Sequence, residues 1–332
     1  MEYHGTGLSA RERRPEPSWP KVIATTLRLW FERHPVLGPR GARSRRVATL
    51  AAVGAVALGA GVAGAVVGHT ATSSRAASVS SPAARPASGA LGASAMARDE
   101  AAKWIAGQVA PSAVVACDPA MCAALQSDGL SASRLLALGT ASADPLGSDL
   151  VVATSAVRNQ FGARLENVYA PALIARFGSG AGQIDIRAIA PDGTAAYQSA
   201  LAADRRSRIN AGTQLLRNPR IAVSAAAQAA LSEGDVDPRL LMMLAALAVE
   251  QPVRVSAFGD PSPGAGQAVP LRGAQLAALR SGAQAGSSLR SMLSFFAAQQ
   301  QPFLPLRAGL AGTSALTVEY PAPSPLGLLS GP

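Results

Sequence analysis

The residue types that carry most enzyme chemistry are scarce in this 332-residue chain, and their positions do not suit it. Its three histidines, His4, His34 and His69, all precede residue 70. The long remainder therefore has neither the base for Ser-His-Asp or Cys-His catalysis nor an imidazole ligand for zinc. A Ser-Lys pair would need Lys103, which falls on the exposed side of a predicted helix. Carboxylate chemistry of the glycosidase kind stays open, and needs two Asp or Glu side chains about 5–10 Å apart. No further cysteine or nearby histidine completes a four-ligand set around Cys117 and Cys122, so no metal and no cofactor is expected.

The candidate acids at predicted loop and strand ends are Asp118, Asp144, Asp149, Asp192, Asp235, Asp237 and Asp260. Several have a plain local duty. Asp118 and Asp237 each precede a proline, the pattern of an N-cap followed by proline at the first helical position. Asp192 sits in a Pro-Asp-Gly turn, and Asp144 precedes Pro145. Open parallel sheets bind ligands beyond their strand C-termini, so Asp118, Ser155 and Asp260 are the candidate ligand-binding residues. Capping and turn duties are the competing explanation. The glycines of 259–266 do not follow G-x-G-x-x-G, and Gly178-Ser179-Gly180-Ala181-Gly182 precedes a strand, so neither reads as a phosphate cradle.

Cys117 and Cys122 bracket Asp118-Pro119 at the N′ and N4 positions, which touch in a hydrophobic staple. In an exported domain that geometry suits a disulfide. Two free buried thiols or a redox pair are the alternatives, although the spacing is not C-x-x-C. A loop this short constrains little unfolded-chain entropy, so a bridge here contributes less than the ~3 kcal/mol expected for a 15-residue loop.

These residues are positioned by a chain divided at Val47 to Gly68, 22 residues without a charged or amide side chain. At ~1.5 Å per residue that length crosses the ~30 Å core of a bilayer. Residues 1–46 carry ten Lys and Arg against four Glu, which places them in the cytoplasm by the positive-inside rule. Within them, Trp19, Val22, Ile23, Thr26, Leu27, Trp30 and Phe31 recur at helical spacing, predicting an amphipathic helix at 18–34 that suits the membrane surface, with packing on a partner protein as the alternative. Ser44-Arg45-Arg46 before the apolar run also resembles a twin-arginine export signal, but the run exceeds the usual 7–15-residue signal core. A retained single-pass anchor is the preferred reading. Under either reading everything after residue 68 is extracytoplasmic. The net charge of +10 is concentrated before the span, so it is not a nucleic-acid footprint.

Residues 69–94 are rich in Ala, Ser and Pro and are expected to form a disordered stalk. Two α/β halves are predicted at 95–192 and 193–320, with the break at Asn218-Pro219 and a loose tail at 321–332. Short apolar runs such as Ala113 to Ala116, Leu135 to Leu138 and Leu150 to Ala153 alternate with helical segments. That alternation predicts short, mostly parallel strands with covering helices. The second half adds a long polar helix, Thr194 to Leu216, with Arg205, Arg206 and Arg208 exposed. Strands follow at Ile221 to Val223, at Val253 to Ala257 and at Ala315 to Tyr320. Helices are expected at Ala225 to Ser232, Leu240 to Val249, Leu271 to Leu279 and Ser288 to Gln299.

Trp104-Ile105, the Ala113 to Asp118 strand, Asp149 to Thr154, Phe177 to Gly180 and Ile184 to Arg187 resemble one known domain. It is the extracytoplasmic C-terminal domain of polytopic membrane glycosyltransferases of high-GC Gram-positive bacteria. The resemblance covers about residues 97–190. The remainder, through Asn218-Pro219-Arg220-Ile221 and Asp237-Pro238-Arg239-Leu240-Leu241, is similar to uncharacterised exported proteins of such bacteria. The resemblance implies a recognition module at the cell envelope and carries over no catalytic residue. The functional expectation is a membrane-anchored, non-enzymatic α/β module that binds an envelope component, with a cell-wall or membrane-protein partner. The alternative is a carboxylate-dependent enzyme acting on envelope glycans. Protease added to intact, wall-stripped cells should digest a C-terminal tag and spare an N-terminal one. Protection of the C-terminal tag would reverse the topology.

Overall fold

A computed structural model describes residues 86–139, 144–259, 262–266, 269–279 and 283–329. The expected span at 47–68, the amphipathic helix at 18–34, their flanks and Asp260 lie outside the described residues. Among the described residues, no helix is long and apolar enough to cross a membrane.

The first sheet holds β1 (Val115–Cys117), β2 (Leu135–Ala137), β3 (Leu150–Ala153), β4 (Ala172–Phe177) and β5 (Ile184–Ala188), in the order β2-β1-β3-β5-β4. The two faces of β1 and β3 are covered by different helices. Helices α1 (Pro86–Gln108) and α2 (Pro119–Ser127) bring Ile105, Met121 and Leu125 onto Val115 and Val152. Helix α3 (Ser155–Phe161) and the π-helical turn Leu165–Tyr169 bring Val157 and Leu165 onto Ala116, Val151 and Ala153. Strands buried on both faces are apolar throughout, which is why Leu150 to Ala153 contains no polar residue.

Helix α4 (Thr194–Leu216) leads to the second sheet of β6 (Ile221–Val223), β7 (Val253–Gly259), β8 (Gly273–Ala278), β9 (Arg307–Ala311) and β10 (Ala315–Glu319), in the order β6-β7-β8-β10-β9. Helices α5 (Ala225–Glu233), α6 (Pro238–Glu250) and α7 (Ala283–Ala297) join its core through Leu231, Leu240, Leu244, Met292 and Phe296. The apolar stretch 240–249 is thus a core helix, as its length of about half a bilayer span requires. Helices α4 and α5 pass so closely that a Cβ at Gly212 would overlap the Leu231 carbonyl.

Both sheets are mixed, which corrects the expectation of mostly parallel strands. Only the pairs β1–β2, β1–β3 and β6–β7 are parallel; β3–β5, β4–β5, β7–β8, β8–β10 and β9–β10 are antiparallel. For β4–β5 and β9–β10 the reason is loop length, since short connections can join only antiparallel neighbours. Residues 178–182 turn β4 into β5, with Gly178 and Gly180 at positive φ, and residues 312–314 turn β9 into β10.

Four further expectations need correction. Residues 86–94 belong to α1 rather than to a stalk; their alanines favour helix, and proline at the first position is pre-set for it. Residues 273–278 form a strand where a helix at Leu271 to Leu279 was expected. Arg208 is buried, because Asp204 one turn earlier holds its Nε at 2.7 Å. The tail is fastened from Pro321 to Gly327 and is not loose. Ala322 pairs in parallel with Val109, donating to the Gln108 carbonyl and accepting from the Ala110 amide, both at 2.8 Å. Ser324 donates to Asp237 Oδ2 at 2.6 Å, and the Gly327 amide donates to Asp204 Oδ1 at 3.0 Å.

Asp237 is fully buried and accepts from the Arg239 amide, Nε and Nη2, while Arg239 Nη2 also donates to the Pro321 carbonyl. Removing one member of a buried pair leaves the other charge uncompensated. Asp237→Ala should therefore lower the unfolding free energy by about 3–5 kcal/mol in guanidinium denaturation. The double variant Asp237→Ala/Arg239→Met should recover part of that loss. Equal losses for the single and double variants would mean that the pair is not the stabilising unit.

Candidate functional site

Cys117 and Cys122 form a disulfide with Cα atoms 5.4 Å apart, closed over the first turn of α2. Between them Asp118 takes extended backbone angles and its Oδ1 accepts from the Ala120 and Met121 amides at 3.0 and 3.1 Å. Oδ2 faces β3 and accepts the Thr154 hydroxyl at 2.5 Å. Thr154, the residue after β3, is in turn the N-cap of α3 through the Val157 amide. The chain leaves β1 toward one face of the sheet and β3 toward the other, so Asp118 and Thr154 stand at a topological switch point, where open sheets place ligands. Here both of the Asp118 oxygens are held by protein donors.

Of the residues singled out from sequence, the structure brings Asp118 to Thr154 and not to Ser155, which is exposed at the start of α3. Asp260 lies outside the described residues, and the preceding Gly259 ends a strand of the other sheet. Thr154 was legible in principle. A threonine directly after an apolar strand and three residues before an apolar Val157 is a capping position.

Other acids are held by the fold as well. Asp149 Oδ2 accepts from the Val114 amide at 2.7 Å, and Asp144 caps the turn at Leu146. Asp185, 2% exposed, binds Arg176 Nε at 2.8 Å and Gln183 at 3.0 Å, and lies 3.7 Å from Arg187. Hydrogen bonding and charge from Asp185 raise the Arg176 pKa further above its ordinary value. Asp204 and Asp237 are occupied by the arginines and the tail segment already described.

Among the described residues, the second sheet differs in leaving one face without a helix. Pairing register sets Ala257, Gln275, Thr317 and Gly309 in one row on that face, and Gly259, Gly273, Glu319 and Arg307 in the next. Gly259 and Gly309 have open space where a side chain would project. The rows floor a cleft of about 550 Å³. The Gln275 side chain is exposed, and the Thr317 hydroxyl donates to the Gly309 carbonyl at 3.3 Å. Arg307 is 63% exposed; its Nη1 stands 4.0 Å from Glu319 Oε2 and its Nη2 donates to the Gly107 carbonyl at 3.5 Å, while among the described residues the buried Glu319 Oε1 has no hydrogen-bond partner. The arrangement offers donors and acceptors over a floor of small residues, with Phe258 and Val318 also lining the cleft. Sequence reasoning missed it because the period-2 pattern Gly273, Gln275, Ala277 was read as helix and 307–311 was assigned to no element.

No family model, curated protein or solved structure matches the chain. Fold and site geometry therefore carry the functional reading. If Asp118 is a cap and a strand-to-strand tie, Asp118→Ala should cost about 1–2 kcal/mol of stability. Ser155→Ala should stay within about 0.5 kcal/mol. Denaturation curves of the two variants make the comparison, and a stable Asp118→Ala protein would count against the structural assignment.

Proposed function

We propose that the chain is a single-pass, membrane-anchored protein whose extracytoplasmic α/β module binds a glycan of the cell envelope on the uncovered face of the second sheet, without turning it over. The observation that carries this reading is the contrast between two sets of polar groups. Asp118, Asp185, Asp204 and Asp237 are held in caps and ion pairs, whereas Gln275, Arg307 and Glu319 line a cleft and are tied only by the 4.0 Å Arg307–Glu319 pair and a 3.5 Å bond from Arg307 to the Gly107 carbonyl. A sugar ring can lie on a floor of Gly259, Gly273 and Ala257 and exchange hydrogen bonds with this mixed donor and acceptor set. The disulfide supports an exported location, since such bonds persist in oxidising compartments.

Binding is favoured over hydrolysis because a glycosidase needs two facing carboxylates. Among the described residues, Glu319 is the only carboxylate lining this cleft. Asp260 follows Gly259 directly in the chain and is the one acid whose participation would favour the enzymatic alternative.

The test is co-sedimentation of the full-length protein with purified envelope polysaccharide, beside an assay for newly released reducing ends. Saturable binding, weakened about tenfold by Glu319→Ala and by Gln275→Ala, is the expected result, a change of about 1.4 kcal/mol. Reducing ends that appear with the native chain and vanish in both Glu319→Gln and Asp260→Asn would replace binding by catalysis. Unchanged sedimentation in the cleft variants would remove the sheet face from the account.

A further inference from the structure

A second site stands apart from the open sheet face, along α4. Two adjoining cavities there, about 260 and 230 Å³, share Leu201, Val269 and Pro270 as a common wall. Together they fall within the range of ordinary small-molecule sites. Both have mainly apolar walls, and they differ in the polar side chains that reach them. The smaller is enclosed by Leu173 and Ile174 of β4, by Tyr197 of α4 and by Pro323 and Leu326 of the fastened tail. The larger adds Gln198, Arg205, Arg208 and Asp235 to the shared apolar wall.

The two arginines are three positions apart and so share one face of α4. Each is held by part of its guanidinium only. Arg208, 3% exposed, donates through Nε to Asp204 at 2.7 Å and through Nη1 to the Gly234 carbonyl. Arg205 donates through Nε to the Glu233 carbonyl at 3.0 Å and through Nη2 to Asp235 at 3.4 Å. Among the described residues, Arg208 Nη2 and Arg205 Nη1 make no hydrogen bond. The carbonyl and carboxylate partners fix both guanidinium planes before any ligand arrives, which lowers the ordering cost of binding. Burial, and secondarily the charge of Asp204, raises the Tyr197 pKa and keeps its hydroxyl neutral at the edge of the apolar cavity.

We infer that the paired cavities along α4 bind a single-chain amphiphile with a carboxylate head, of the medium-chain fatty acid class. The apolar cavity takes the chain, and Arg205 with Arg208 takes the head. Carboxylate suits the arginine fork, which donates two parallel bonds to a planar anion. Charge selects it over a phosphate. Arg205 and Arg208 are already offset by Asp235 and Asp204, so a monoanion adds one net charge to the site and a dianion nearly two. The small apolar cavity selects a single chain over two.

The test uses membrane vesicles containing the full-length chain and a photoreactive diazirine analogue of decanoate, with adducts mapped by peptide mass spectrometry. Adducts should concentrate on peptides carrying Tyr197 to Leu201 and Pro323 to Leu326. They should be displaced by decanoate, weakly by decyl phosphate and not by decanol. Arg205→Ala removes a 56% exposed side chain, so it tests the head site with little risk to folding; it should reduce labelling at least fivefold. Leu201→Trp should abolish labelling by filling the common wall. Adducts spread elsewhere, equal displacement by decanol, or stronger displacement by decyl phosphate would each overturn the assignment.

Discussion

The fold depends on a charge that water cannot reach. Asp237 begins α6 and is wholly buried, and every acceptor direction it has is taken from inside the protein. Arg239 supplies most of that neutralisation and lies over the ring of Tyr320 at 5.0 Å. An ion pair removed from water roughly breaks even with apolar side chains of the same size. What this pair adds is position, because its remaining valences bind the Pro321 carbonyl and the Ser324 hydroxyl. Asp204 and Arg208 repeat the arrangement on α4 and hold Gly327. Two buried carboxylates therefore place one short peptide, and that peptide pairs with the end of α1 in the other half of the chain.

The same peptide and the loop before β8 join regions that share no strand. The Arg176 amide of β4 donates to the Pro263 carbonyl at 2.7 Å, and the Gly266 amide donates to the Leu173 carbonyl at 3.2 Å. An edge strand that would otherwise present open backbone groups is thereby covered by a loop. The covering leaves space between β4, α4 and the tail, and that space is the apolar cavity. Its counterpart is the face of the second sheet that no described helix covers, where the outward rows are small or polar. The first sheet has no such face, since helices cover both sides of β1 and β3.

Local signals in the sequence were reliable wherever one residue does one job. Asp118-Pro119 and Asp237-Pro238 start helices as read, Ser224 caps α5, and Gly234 ends it in the left-handed conformation. Leu150 to Ala153 is a strand with the boundaries its apolar run indicates. The cysteine spacing pointed to the bond that is present. Legibility failed where pairing partners decide the outcome. β8 has alanines and a leucine at spacings that also suit a helix, and only β7 and β10 on either side make it a strand. Arg208 looks like a solvated charge until Asp204 is seen one turn earlier on a face packed against Gly234. Proline-rich residues 321–327 carry no periodicity, so nothing local reveals that buried acids hold them. The two candidate sites were missed for the same reason, because each is assembled by register or by the tail rather than by a motif.

The fastened tail also sets an order of events. Val109 and Ala322 are more than two hundred residues apart in sequence yet lie side by side. Closing so long a loop is an entropic cost met before the contact returns anything. Until 321–327 arrive, Asp204 and Asp237 lack one of their partners, and the edge of α1 lacks its neighbour. In a chain delivered from its N-terminus, the two sheets must wait in an incomplete state for the last segment that joins them. The seam is therefore finished late, and a chain interrupted before residue 321 retains both sheets' sequences and the loop that covers β4 but lacks the tail's share of the joint.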